Sequence, residues 1–144
     1  MEPKDWLLCF IRVCEVNRAP DPIRIMKGMF IFSQEGGVKR EESYEFEAYS
    51  YGPCSFAIYR DLERLLEEGV IAVTPMPGQN WSLYTCSAAG QLRADDLLSK
   101  SRAGSVAKLR ESSDFVLSRS FLSLLRDVYQ RYPQYARNSV LSFR

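Results

Sequence analysis

Glu45 and Glu47 are the first residues in this chain whose types and spacing could do chemistry. Two apart in an extended stretch, they share one face. A carboxylate pair can divide acid and base roles once a pocket splits their pKa values. No motif around them builds such a pocket, so they read as a solvated strand face, as do Glu41-Glu42 and Glu67-Glu68. Cys54 is the next candidate, because it follows Pro53 near the start of a helix, where a thiol pKa can fall. The chain has no histidine, so there is no imidazole to act as its base or to bind a metal. Cys9, Cys14, Cys54 and Cys86 form no CxxC pair, and their spacing supports no zinc site. They read as small core or boundary residues in a reducing cytoplasm. No GxSxG, P-loop or GxGxxG occurs, and Gly36-Gly37 is an isolated loop pair. The expectation is a non-enzyme, with no catalytic, cofactor-binding or metal-ligating residue.

The composition fits one domain. The chain has 144 residues, a length that buries a core without disulfides or metals. No run of about 18 apolar residues marks a transmembrane helix, and the opening MEPKDWLLCFIRVCEV lacks the cleavage site of a signal peptide. A cytoplasmic protein is expected. Charge is unevenly spread. Residues 1–90 hold nine Lys/Arg against thirteen Asp/Glu, and residues 91–144 hold ten against five. Either the basic half serves an acidic partner, or the two halves face each other or sit solvated.

The elements that position these residues centre on YEFEAYSYGPCSFAIYRDLERLLEEG, Tyr44 to Gly69. It predicts a strand from Tyr44 to Tyr49, a turn at Gly52-Pro53, and a helix from Phe56 to Glu68. Ser55 is the expected N-cap and Gly69 a left-handed C-cap. Ile58, Tyr59, Leu62, Leu65 and Leu66 recur on one helical face. Before this stretch lie a helix from Asp5 to Val16, with Trp6, Cys9, Phe10, Val13 and Cys14 on one face, and a second from Pro22 to about Gln34. Asp21 caps the latter, and Gly28 inside it predicts a close helix–helix contact. After it, Val70 to Thr74 and Trp81 to Cys86 read as a hairpin joined by PMPGQN. Ser87 then caps a helix to about Leu98. KSRAGS, Lys100 to Ser105, reads as a linker before a helix around Val106 to Glu111. A last helix, capped by Ser118 or Ser120, runs to Tyr132 with Phe121, Leu124, Leu125, Val128 and Tyr129 as its apolar stripe.

The order helix, helix, strand, helix, hairpin resembles a winged helix-turn-helix domain. YRDLERLLEEGVI, followed by a hairpin and SAAGQLRADDL, is similar to the stretch in bacterial winged-helix proteins where the third helix ends in Glu-Glu-Gly-apolar. Those proteins follow the wing with Thr-x-x-Gly, which Thr85, Ser87 and Gly90 only approximate. A second, weaker resemblance is to the Panacea domain, an antitoxin-associated module. It is carried by the helix ending at Gln34, the strand, the turn Tyr51-Gly52-Pro53 and the helix after it, and covers residues 5 to 90. The fold expected is α+β: a winged-helix domain over 1–90 with a hairpin wing, and a helical C-terminal extension over 91–144 packed on it.

Two functions follow from the resemblances. The winged helix implies a DNA-associated transcriptional regulator. Arg60 and Arg64 on the third helix, Gln79 and Asn80 at the wing tip, and Arg119 and Arg126 from a C-terminal basic group are its candidate contacts. That group also holds Lys100, Arg102, Lys108, Arg110 and Arg131. Asp61, Glu63, Glu67 and Glu68 would repel phosphates, and the wing tip has no cation. The Panacea resemblance implies a protein-interaction module without direct DNA binding. Tyr51, Phe56, Glu63 and Glu67 are its candidate contacts, within an aromatic group that also holds Tyr44, Phe46, Tyr49 and Tyr59. The apolar stripe of the last helix could pair with a second copy of the chain or pack on its own first helix.

Overall fold

Two proline-led helices open the chain, and an aspartate closes each start, from the third helical position in the first and from the N-cap in the second. Pro3 and Pro22 occupy first-turn positions, where a missing amide proton costs nothing. Asp5 accepts from the Glu2 amide at 3.0 Å, and Asp21 accepts from the Arg24 amide at 2.9 Å. The computed structural model describes residues 1–36 and 38–143. Its helices are α1 (Pro3–Glu15), α2 (Pro22–Glu35), α3 (Phe56–Glu67), α4 (Ala88–Lys100), α5 (Ala103–Leu117) and α6 (Phe121–Arg131). Its strands are β1 (Glu47–Tyr49), β2 (Gly52–Cys54), β3 (Ile71–Pro75) and β4 (Ser82–Cys86). Single 3-10 turns occupy Arg40–Glu42 and Pro133–Tyr135. The strands form two separate antiparallel hairpins, β1–β2 and β3–β4. This is a winged-helix-like α+β fold with a helical C-terminal extension.

α1 is the axis of the core. Leu7, Leu8 and Ile11 are buried along with the expected Trp6, Cys9, Phe10 and Cys14, so the helix is enclosed on nearly every side. The reason is the C-terminal extension: α4 and α5 cover the side of α1 that α2 and α3 leave open. Gly28 makes the predicted close contact. A Cβ there would lie 2.1 Å from Cζ of the fully buried Phe10.

α3 ends as its sequence predicts. Gly69 takes φ +72°, its amide donates to the Leu66 carbonyl at 3.0 Å, and the Val70 amide donates to Leu65 at 3.1 Å. These two bonds form a Schellman motif. Ser55 stands at the N-cap, but its buried side chain accepts no capping bond.

Three expectations need correction. First, Gly52-Pro53 is not a turn. Gly52–Cys54 forms a second strand against β1, with Tyr49 opposite Gly52 and Ala48 opposite Pro53, and the chain reverses at Ser50-Tyr51. Gly52 takes φ +90° and lies where a side chain would strike the Tyr129 ring. Tyr44 to Phe46 stay outside the strand. The Tyr44 hydroxyl is drawn to Asp61 at 2.6 Å, and Phe46 packs edge-on against Phe30.

Second, KSRAGS is no linker. Only Ser101 and Arg102 separate α4 from α5, and α5 runs to Leu117. Its buried face mixes Leu109 and Val116 with Ser105, Ser112 and Ser113. An apolar periodicity does not register such a face.

Third, the α6 stripe is already used. Leu124, Leu125 and Val128 are fully buried within the chain, and Tyr129 is nearly so. α6 packs chiefly on β2 and the Pro133–Tyr135 turn, and its Leu124, Val128 and Tyr129 join the same core as the buried residues of α1. The tail then straps over β1, with Asn138 Nδ2 donating to the Ala48 carbonyl at 2.9 Å and the Val140 amide to Ser50 at 2.9 Å. Of that stripe only Phe121 remains half-buried at the surface. Among the described residues, no helix is long and apolar enough to cross a membrane.

Candidate partner-binding face

The charges resolve first. The acidic and basic halves meet in ion pairs: Arg12 with Asp95 at 3.0 Å, Arg93 with Glu68 at 2.9 Å, Arg102 with Glu42 at 3.5 Å and Arg131 with Glu35 at 3.9 Å. Within the extension, Lys100 pairs with Asp96 and Lys108 with Glu111. Arg119 binds Asp127 at 2.7 Å, donates to the Phe115 carbonyl and lies 3.7 Å above the Phe115 ring. Arg126 reaches Asp127 from 3.7 Å. Most of the C-terminal cations thus have a carboxylate partner within this chain, Arg119 and Arg126 sharing Asp127, and Arg119 is held in place by its own fold.

α3 shows solvent a mixed face. Phe56, Tyr59, Arg60, Glu63, Arg64 and Glu67 are exposed. Arg64 bonds Asp61 at 2.9 Å, and Asp61 is itself buried under the Tyr44 hydroxyl. Arg60 and Arg64 share a cleft of about 530 Å³ with Glu45, Glu47 and Asp61. Three carboxylates against two guanidiniums leave that cleft without a net pull on phosphate. Gln79 and Asn80 lie exposed at the tip of the β3–β4 hairpin, and no charged residue occurs from Gly69 to Leu92.

The structure assembles a different surface from residues scattered along the chain. A groove of about 650 Å³ opens between the start of α2, α3, β4 and the start of α6. Ile23, Tyr59, Trp81, Tyr84 and Phe121 line it, with Asn80 at the hairpin end. Tyr84 and Ser82 reach it together because they are two apart on β4 and so share a face. Tyr59 and Trp81 are 41% and 40% exposed. From this groove the aromatic surface continues both ways. Phe121 meets Tyr51 at 5.8 Å, and Tyr59 leads through Phe56 at 6.3 Å to Tyr49 at 4.9 Å. Tyr51 and Phe56 therefore join one exposed surface. Glu63 and Glu67 lie exposed along the same helix. Trp81, Tyr84 and Phe121 escape a sequence reading, because only the fold brings the hairpin and α6 beside α3.

Two further groups bear on chemistry. Lys27 is 2% exposed, and its Nζ donates to the Pro53 carbonyl at 2.9 Å. Burial lowers its pKa to about 8, an effect the neighbouring Cys54 only partly opposes. Sequence reading overlooks it, although an isolated lysine among Ile25, Met26, Met29 and Phe30 is a visible signal. Cys54 itself is half-buried, and burial raises its thiol pKa despite Lys27. It lacks the activated thiolate that its place near a helix start suggests. Burial also pushes Cys9, Cys14 and Cys86 up to about 12. Among the described residues, no group of three His, Cys, Asp or Glu side chains is arranged to hold a metal ion. No protein-family model matches the chain and no curated protein proves similar to it.

Proposed function

We propose that this chain is a non-catalytic protein-interaction module of the antitoxin-associated type, which binds its partner through the aromatic face of α3 and the β3–β4 hairpin. The observation that carries this reading is the aromatic surface around the groove, where exposed Tyr51, Phe56, Tyr59 and Trp81 gather with half-buried Tyr49, Tyr84 and Phe121. Tyrosine and tryptophan are preferred interface anchors, because they bury much area for little side-chain entropy. Monomeric surfaces rarely gather several such rings in one place without a use for them.

The charge distribution points the same way. Nucleic-acid binding draws most of its affinity from phosphate contacts. Here the hairpin is uncharged, the α3 arginines sit among carboxylates, and Arg119 and Arg126 are paired with Asp127. The DNA-associated reading rests on the winged-helix-like arrangement and on exposed Arg60 and Arg64.

Fluorescence anisotropy with a mixed-sequence DNA duplex separates the two. At about 50 mM salt, where phosphate contacts are strongest, the expected result is no micromolar binding. Micromolar binding that weakens steeply by about 200 mM salt, and is lost in Arg60→Glu or Arg64→Glu, would overturn the proposal in favour of DNA.

A further inference from the structure

The partner's local chemistry can be read from the groove, an inference that rests on the protein-interaction reading. Four of the residues that line it carry a side-chain hydrogen-bond donor: Tyr59 and Tyr84 a hydroxyl, Trp81 an indole N–H and Asn80 an amide. None of the four donates a hydrogen bond to another group among the described residues. An occupant must therefore bring acceptors as well as apolar surface.

That requirement discriminates between peptide conformations. An amphipathic helix uses its carbonyls internally and would leave these donors unmatched. An added β-strand would need an open sheet edge beside the groove. The β4 edge is taken, since the Tyr84 amide donates to the Pro20 carbonyl at 3.0 Å and the Cys86 amide to Glu15 at 2.8 Å. A polyproline II segment meets both needs. It has no internal hydrogen bonds, so its carbonyls are free, and its proline rings pack flat against aromatic side chains.

The rim adds a charge preference. Glu63 follows the groove residue Tyr59 by four positions on α3, so the two stand one turn apart on the same helix face and Glu63 lies beside the groove. Glu63 is exposed and makes no ion pair among the described residues. Asp21, by contrast, is committed to Arg24. A free carboxylate at the edge of an aromatic groove whose own charged residues, Asp21 and Arg24, are paired with each other complements a cation flanking the proline-rich core.

The geometry points to a proline-rich segment in polyproline II conformation, flanked by a lysine or arginine, as the occupant of the groove lined by Tyr59, Trp81, Tyr84 and Phe121. Its carbonyls accept from the tyrosine hydroxyls, the indole and Asn80, and its basic residue lies against Glu63.

Trp81 is a built-in reporter, because the only other tryptophan, Trp6, is 2% exposed. The full chain is titrated with a capped peptide of one arginine followed by nine prolines. The control peptide carries the same arginine before a glycine-serine repeat. The expected result is a saturable change in tryptophan emission with the proline peptide alone. Tyr59→Ala keeps the reporter and should weaken binding about tenfold, the size of one lost aromatic anchor. Glu63→Lys should weaken the arginine-bearing peptide by about threefold, a rim charge effect, and leave a peptide of nine prolines unchanged. Thermal melts of both variants, each altered at an exposed site, report that they are folded. No saturable change, an equal response to the glycine-serine peptide, or undiminished binding by folded Tyr59→Ala would overturn the assignment. Competition by an amphipathic leucine-lysine helix that outmatches the proline peptide would overturn it too. Any of these failures, beside an intact protein partnership at the same face, would remove the peptide class and leave the interaction reading standing.

Discussion

Gly90→Ala will destabilise the protein by about 3 kcal/mol or more, as an over-packed junction that cannot relax. The helix α4 starts against the end of α3. Ser87 caps it by accepting from the Gly90 amide at 3.1 Å, donates its hydroxyl to the Gly69 carbonyl at 2.6 Å, and donates its amide to the Val70 carbonyl at 3.0 Å. A Cβ on Gly90 would stand 1.8 Å from the Val70 carbonyl oxygen and 2.7 Å from its carbon. Those are backbone atoms, fixed by the Schellman turn, so no rotamer change can clear them. Gly104→Ala is the control. It also lies inside a helix, but nothing is within 4 Å of the added carbon, so the change should stabilise by ~0.5–1 kcal/mol. Urea unfolding of the two variants beside the parent checks both signs. Equal effects would show that the α4–hairpin junction is not tight.

Lys27→Met should change stability with a sign that depends on pH. The ammonium is buried with one acceptor, the Pro53 carbonyl, and its pKa drops from 10.5 to about 8 on folding. The unfolded chain therefore holds more protons between those two values, and this group's contribution to stability rises with pH across that window. Below about pH 8 the buried charge costs roughly 3 kcal/mol. Methionine removes that cost but leaves the Pro53 carbonyl without its donor, a loss of ~1–3 kcal/mol. At pH 7 the variant should be more stable than the parent by ~1 kcal/mol. Above pH 10.5 the lysine is neutral in both states and still donates, so the variant should be the less stable. The raised thiols of Cys9, Cys14 and Cys86 act in the opposite direction, costing stability as pH climbs past 9. They act on both proteins, so the difference between the two melting curves isolates Lys27. A difference that stays constant from pH 7 to 10.5 would mean that the amine is not buried as a charge.

Much of this architecture is legible in the sequence because the signals are local. The Asp21-Pro22 start, the Glu-Glu-Gly end of α3 and the Ser87 cap each act within one turn, and all three appear where their residues predict. Ser87-x-x-Gly90 departs from the Thr-x-x-Gly pattern in the capping residue only, and serine supplies the same hydroxyl. Gly28 is legible too, since a glycine in mid-helix calls for a close neighbour, here Phe10.

What escaped depends on residues far apart in the chain. Pro53 reads as a turn residue, yet it sits in a strand where its carbonyl serves Lys27. The serines of α5 hide a buried face from any apolar count. Pairing between the acidic and basic halves needs the fold, and so does the meeting of Tyr59 with Trp81, Tyr84 and Phe121. The aromatic cluster around the central stretch was half legible. Tyr44 and Phe46 went into the core, while Tyr51, Phe56 and Tyr59 stayed exposed and became part of the candidate face.

The most direct test of that face is photo-crosslinking in cells expressing the full chain. Benzoylphenylalanine replaces Tyr59 in the groove or, as control, Leu92 on α4, which is 75% exposed and outside the groove. The account predicts a discrete adduct with another protein from position 59 and none from position 92. Adducts with nucleic acid alone from position 59, or the same protein adducts from both positions, would contradict it.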